Sequence, residues 1–138
     1  MKRQLRTTLS RLKKLREHLL NNVPEERFCM GTWCRESECG TAACAWGHAC
    51  SIPSFRRAGL QLLADPDIKY EETRCFFPTY QGYHGYEAAE QFLGISYMEA
   101  CWLFDPLRYP VLQVLPNHVA ERIDQLVREL ETAASAAA

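Results

Sequence analysis

A chain of 138 residues, net charge -1 and 47% hydrophobic, has the size and composition of one soluble globular domain, 1–138. Its apolar runs are too short for a membrane span, and charges among the first leucines leave no secretory h-region. The expected compartment is therefore the reducing cytoplasm, where seven cysteines, an odd number, stay free thiols by default.

Residues 1–22 read as a basic amphipathic helix, from about Arg3 to Leu20. Leu5, Leu9, Leu12, Leu15 and Leu19 recur at three- and four-residue steps and form one apolar stripe. The first twenty residues carry seven basic side chains against Glu17 alone, which makes them +6 and the remainder -7. Arg6, Lys13 and Lys14 are the candidates for meeting an anionic partner, nucleic acid included; a solvated face is the plainer reading. Asn21 and Asn22 cap the helix, and Pro24 stops it.

Pro24 to Arg27 reads as a single turn. A polar loop from Cys34 to Glu38 then leads to Cys39-Gly40-Thr41-Ala42-Ala43-Cys44-Ala45-Trp46-Gly47-His48-Ala49-Cys50. Thr41 suits an N-cap, and Ala42 to Ala49 suit a helix of small residues on which neighbours pack closely. Gly47 inside a helix costs about 1 kcal/mol relative to Ala, which a close backbone contact would offset. Cys34, Cys39, Cys44 and His48 together would compose a Cys₃His zinc site. The chain has no C-x-x-C pair, however, so buried thiols and a packed histidine are expected, with no cofactor. Cys39, placed just before the expected helix N-terminus, is the candidate nucleophile of a thiol enzyme.

Ser54 to Ala58 adds one helical turn closed by Gly59. Leu60 to Leu62 and Ile68 to Tyr70 alternate around Asp65-Pro66-Asp67, which predicts a small β-hairpin. Phe76 to Pro78 and Tyr80 to Tyr86 read as an aromatic loop, in which Tyr80, Tyr83, His84 and Tyr86 are candidates for partner recognition. A helix from about Tyr86 to Leu93 ends at Gly94. Ser96 and Glu99 form a capping box for the next, which reaches Phe104. This pair has the outline of a helix-turn-helix, but its second helix shows Tyr97, Met98, Glu99 and Trp102 and no Lys or Arg. An αα-hairpin in the core is the better reading. The last helix starts near Pro116 with Val119, Ile123, Leu126 and Leu130 on one face, and residues 132–138 are expected to fray.

Trp33, Cys39-Gly40-Thr41, Cys44, Gly47-His48-Ala49 and Gly59-Leu60 with Leu62 form a pattern. It continues in Ala88-Ala89, Phe92-Leu93-Gly94-Ile95-Ser96, Glu99-Ala100 and Leu103-Phe104-Asp105-Pro106. Over roughly residues 28 to 110 this pattern resembles a group of small, uncharacterised proteins of phages, prophages and other bacterial genomes. The resemblance implies no activity. It does imply a phage-type protein that works by binding a host macromolecule, with inhibition of a host or defence protein as one form of that role. The expected fold is mainly α: one compact domain of about five helices around the small-residue central helix, with a minor hairpin. The expected function is non-enzymatic binding of a protein partner away from membranes. A zinc-containing or nucleic-acid-binding regulator and a thiol enzyme are the alternatives.

Overall fold

A computed structural model describes residues 2–37, 40–70 and 73–137, with the side chains of residues 2, 3 and 67–70 outside the description. Helix α1 (Lys2–Asn22) buries Leu12, Leu15 and Leu19 completely, while Leu5 and Leu9 are half-buried, so the leucine stripe faces the core as its spacing requires. A 3-10 turn (Glu25–Arg27) leads into β1 (Cys34–Ser37) and β2 (Gly40–Ala43). Two short helices follow, α2 (Ala45–Ala49) and α3 (Pro53–Arg57). Then come β3 (Gln61–Tyr70), β4 (Thr73–Tyr80) and β5 (Tyr83–His84). The chain closes with α4 (Gly85–Leu93), α5 (Tyr97–Phe104) and α6 (Pro116–Ala137), which continues through the stretch expected to fray.

The fold is therefore mixed α+β, not mainly α with a minor hairpin. Among the described residues, six α-helices accompany a five-stranded antiparallel sheet in the order β2-β1-β4-β3, with β5 also on β4. The helix expected over Ala42–Ala49 is shortened to Ala45–Ala49, and Ala42 and Ala43 belong to β2. Gly40 to Ala43 use their backbone sideways, each opposite a residue of β1 from Ser37 to Cys34. Ala43 also accepts the Cys29 N–H at 2.9 Å, so its carbonyl is occupied outside any helix. Tertiary pairing has won over the helical propensity of a small-residue run. The hairpin around Asp65-Pro66-Asp67 is also corrected. That turn lies inside a single long strand, β3, whose register against β4 breaks between Ala64 and Lys69.

β4 is the hub of the sheet. It pairs with β3 along one edge, and with β1 (through Arg74–Phe76) and β5 (through Thr79–Tyr80) along the other. Pro78 falls in the gap between β1 and β5, where no neighbour needs its missing N–H. Between β4 and β5, Gln81 and Gly82 make a two-residue turn with φ of 51° and 85°, the positive values a tight hairpin requires.

Helices α2 and α4 pack on β4, while α1 packs on α2, α4 and α6. Phe92 of α4 joins these layers. Its ring meets Trp46 of α2 at 6.1 Å, Phe55 of α3 at 4.9 Å and Tyr80 of β4 at 5.1 Å, and the Arg11 guanidinium of α1 lies 3.9 Å from its centroid. At the far end Arg122 of α6 lies over the rings of Trp102 and Tyr109 and donates to the carbonyls of Trp102 and Arg108. The α4–α5 connection follows its sequence signals closely. Gly94 ends α4, and Ser96 and Glu99 satisfy each other's amides at 3.0 and 2.8 Å. The pair packs into the core as an αα-hairpin.

Candidate functional site

The cysteine–histidine stretch is committed to structure. The six described cysteines are free thiols, and Cys39 lies outside the described residues. The helix N-terminus expected beside Cys39 is instead at Cys44, whose sulfur caps α2 by accepting the Gly47 N–H at 3.3 Å. Burial pushes the Cys44 thiol up to about 12 and the Cys34 thiol up to about 11, and raises that of Cys50. These groups stay protonated near neutrality and are poor nucleophiles. His48 donates from Nε2 to the Arg27 carbonyl at 2.8 Å and stacks on Phe28. Among the described residues no group of three or more His, Cys, Asp or Glu side chains is arranged to hold a metal ion.

His48 has a neighbour in His18 of α1, whose Nε2 shares a hydrogen bond with the Ser51 hydroxyl at 3.2 Å. Burial lowers both imidazoles from 6.5; His48 adds to the lowering of His18, and the Arg27 carbonyl partly opposes that of His48. Both are neutral in the fold, while the unfolded chain takes up their protons near 6.5. Their contribution to stability is thus full above that value and is lost as pH falls through the lowered folded values. The melting temperature is expected to fall between about pH 7.5 and about pH 5. The His18→Gln/His48→Gln double variant should show a flatter profile; an unchanged slope would remove this pair as the cause.

The aromatic stretch is not a loop. Tyr80 ends β4 and covers Phe92; Tyr83 and His84 form β5 and are exposed, with His84 edge-on to Phe77 at 5.0 Å. Tyr86 starts the first turn of α4 and meets Trp33 at 4.9 Å with the rings 69° apart; Tyr97 of α5 meets Tyr86 at 6.1 Å and 81°. These perpendicular rings wall an open groove of about 560 Å³ between the sheet and the α4–α5 pair, with Asp65, Phe77 and Glu87 also lining it. Gly85 makes the approach possible. It holds φ of 58°, and a Cβ there would sit 3.1 Å from the Trp33 ring. Burial, with Asp105 adding to it, pushes the Tyr86 phenol up to about 12, so it remains a neutral hydroxyl.

Of the basic candidates, Arg6, Lys13 and Lys14 are all exposed on α1. Arg6 and Lys14 flank a cleft against α3, and Lys13 is not among its lining residues. Arg11 and Arg16 are engaged in the fold: Arg11 donates to the Phe92 carbonyl, and Arg16 pairs with Asp124 at 2.6 Å. The structure thus brings His84 and Tyr86 together in one site and Arg6 and Lys14 in another, while Tyr80 serves the core. Trp33, Asp65, Glu87 and Tyr97 were not singled out as site residues by their spacing. For Tyr97 the advance signal is the surplus of aromatic residues between Phe76 and Tyr97; Trp33 and Asp65 lie outside that stretch.

No protein-family model matches the chain, and neither a curated protein nor a solved structure matches it. No helix among the described residues is long and apolar enough to cross a membrane.

Proposed function

We propose that the chain is a non-enzymatic binding protein whose aromatic groove receives a basic side chain of a partner protein. The observation that carries this reading is the set of perpendicular rings Trp33, Tyr86 and Tyr97 beside the Glu87 carboxylate. A cation held over such faces gains from the ring quadrupoles, and a nearby carboxylate adds Coulomb attraction. Charge complementarity supports the same occupant, since the chain beyond its first twenty residues carries net -7. A host macromolecule as the partner is in keeping with the resemblance to phage-type proteins, and the free thiols among the described residues are in keeping with a reducing cytoplasm. A DNA-reading role for α4–α5 has less support, because α5 has no Lys or Arg to meet phosphates.

The test is a titration with N-acetyl-trimethyllysine methylamide and with its glutamate counterpart, following the indole N–H resonances by NMR. The lysine compound should move the Trp33 signal saturably and leave that of the fully buried Trp46 in place. Tyr97→Ala, at a 44% exposed position, should weaken the effect roughly threefold. Equal responses to the two compounds, or none to the lysine compound, would refute the reading.

A further inference from the structure

The cleft between α1 and α3, about 400 Å³ in volume, has a different chemistry. Arg6, Ser10 and Lys14 stand at four-residue steps and so share one face of α1. Arg11 reaches the same cleft, and Ser54, Phe55 and Ala58 form the opposite wall. Among the described residues no carboxylate lines it. Arg6 and Lys14 make no ion pair among the described residues, unlike Arg16 of the same helix. Ser54 supplies a second, independent sign. Its hydroxyl oxygen is buried and has no hydrogen-bond partner among the described residues, a state that costs stability unless something supplies one.

We infer that this cleft binds a phosphate group carried by a small ligand. Arg6, Ser10 and Lys14 on one face of α1, with Arg11 and Ser54 also lining the cleft, give it hydrogen-bond donors from two helices and a positive charge. A phosphate, with several acceptor oxygens pointing in different directions, can use such a set more fully than a carboxylate. The Phe92 stacking and hydrogen bond hold Arg11 in place, so its charge is fixed beside the cleft before any ligand arrives. The cleft is short and walled by Phe55, which suits one phosphate group; a nucleic-acid backbone would need cations continuing along its track. The inference is independent of the aromatic groove.

Inorganic phosphate is the probe, titrated into the full chain at constant ionic strength with chloride as the comparison. Amide resonances of α1 and α3 should shift saturably with phosphate and not with chloride. Lys14→Gln or Arg6→Gln should weaken binding about tenfold, and Ser54→Ala should also weaken it, whereas Lys13→Gln should leave it unchanged. Both cationic positions are exposed, so these variants keep the fold. The inference is overturned if chloride matches phosphate, or if Lys13→Gln costs as much as Lys14→Gln. It also falls if a DNA duplex binds with a steep salt dependence while inorganic phosphate does not bind.

Discussion

Replacing Gly47 by Ala is expected to destabilise the protein by about 3 kcal/mol or more. Helix propensity points the other way, because Ala is favoured over Gly in a helix by about 1 kcal/mol. The space decides. An added Cβ at Gly47 would lie 1.7 Å from the Trp33 carbonyl oxygen and 2.9 Å from its carbon. Both are backbone atoms, so no side-chain rotation relieves the overlap. Either α2 or the approach to β1 must move, and Trp33 carries one wall of the aromatic groove with it. Gly31→Ala is the control. Its nearest neighbour would be the Cys29 sulfur at 3.7 Å, an ordinary contact, so it should change stability by about 0.5 kcal/mol or less. Urea unfolding midpoints of the two variants give the comparison, and equal midpoints would show that α2 is free to shift.

Phe92→Ala should cost about 3–5 kcal/mol, a large part of what a domain of this size has. The ring is 1% exposed and touches side chains from α1, α2, α3 and β4. Its loss removes transfer energy and opens a cavity that four separate elements would have to close together. It also strips Arg11 of the face it rests on. Phe92→Leu fills most of that space and should cost about half as much or less. Thermal denaturation separates the two. A melting temperature for Phe92→Ala within about 3 °C of the parent would show that the layers hold without it.

Helices whose signals are local were legible in the sequence. The stripe of α1, the Gly94 stop, the Ser96/Glu99 box and the Val119–Ile123–Leu126 face are each decided within a few residues, and the structure places them as expected. Strands β1 and β2 were not legible. Arg35, Glu36, Gly40, Ala42 and Ala43 are poor strand formers, and they pair because β4, far along the chain, supplies a partner at Cys34↔Phe76 and Arg35↔Cys75. Phe76-Phe77-Pro78 reads as part of an aromatic, Gly-punctuated loop, yet it lies in β4, with Pro78 opposite Leu62 of β3 and between the β1 and β5 pairings on the other edge. The sites divide in the same way. Tyr86, His84, Arg6 and Lys14 stood out by residue type. Trp33, Tyr97, Arg11 and Ser54 join them only through contacts between distant elements, which no spacing rule encodes.

The register break in β3 bears on how copies of the chain behave toward one another. As the outermost strand, β3 offers a row of backbone groups to solvent, the usual starting point for edge-to-edge stacking. Pro66, which has no N–H to offer any strand, lies in the irregular stretch between Ala64 and Lys69, and that stretch puts the two halves of β3 out of step. An incoming strand from a second copy could match one half and would then miss the other. The stretch that reads as the tip of a hairpin in the sequence is thus an interruption in an edge strand, and it leaves that edge without one continuous register for a second strand to follow.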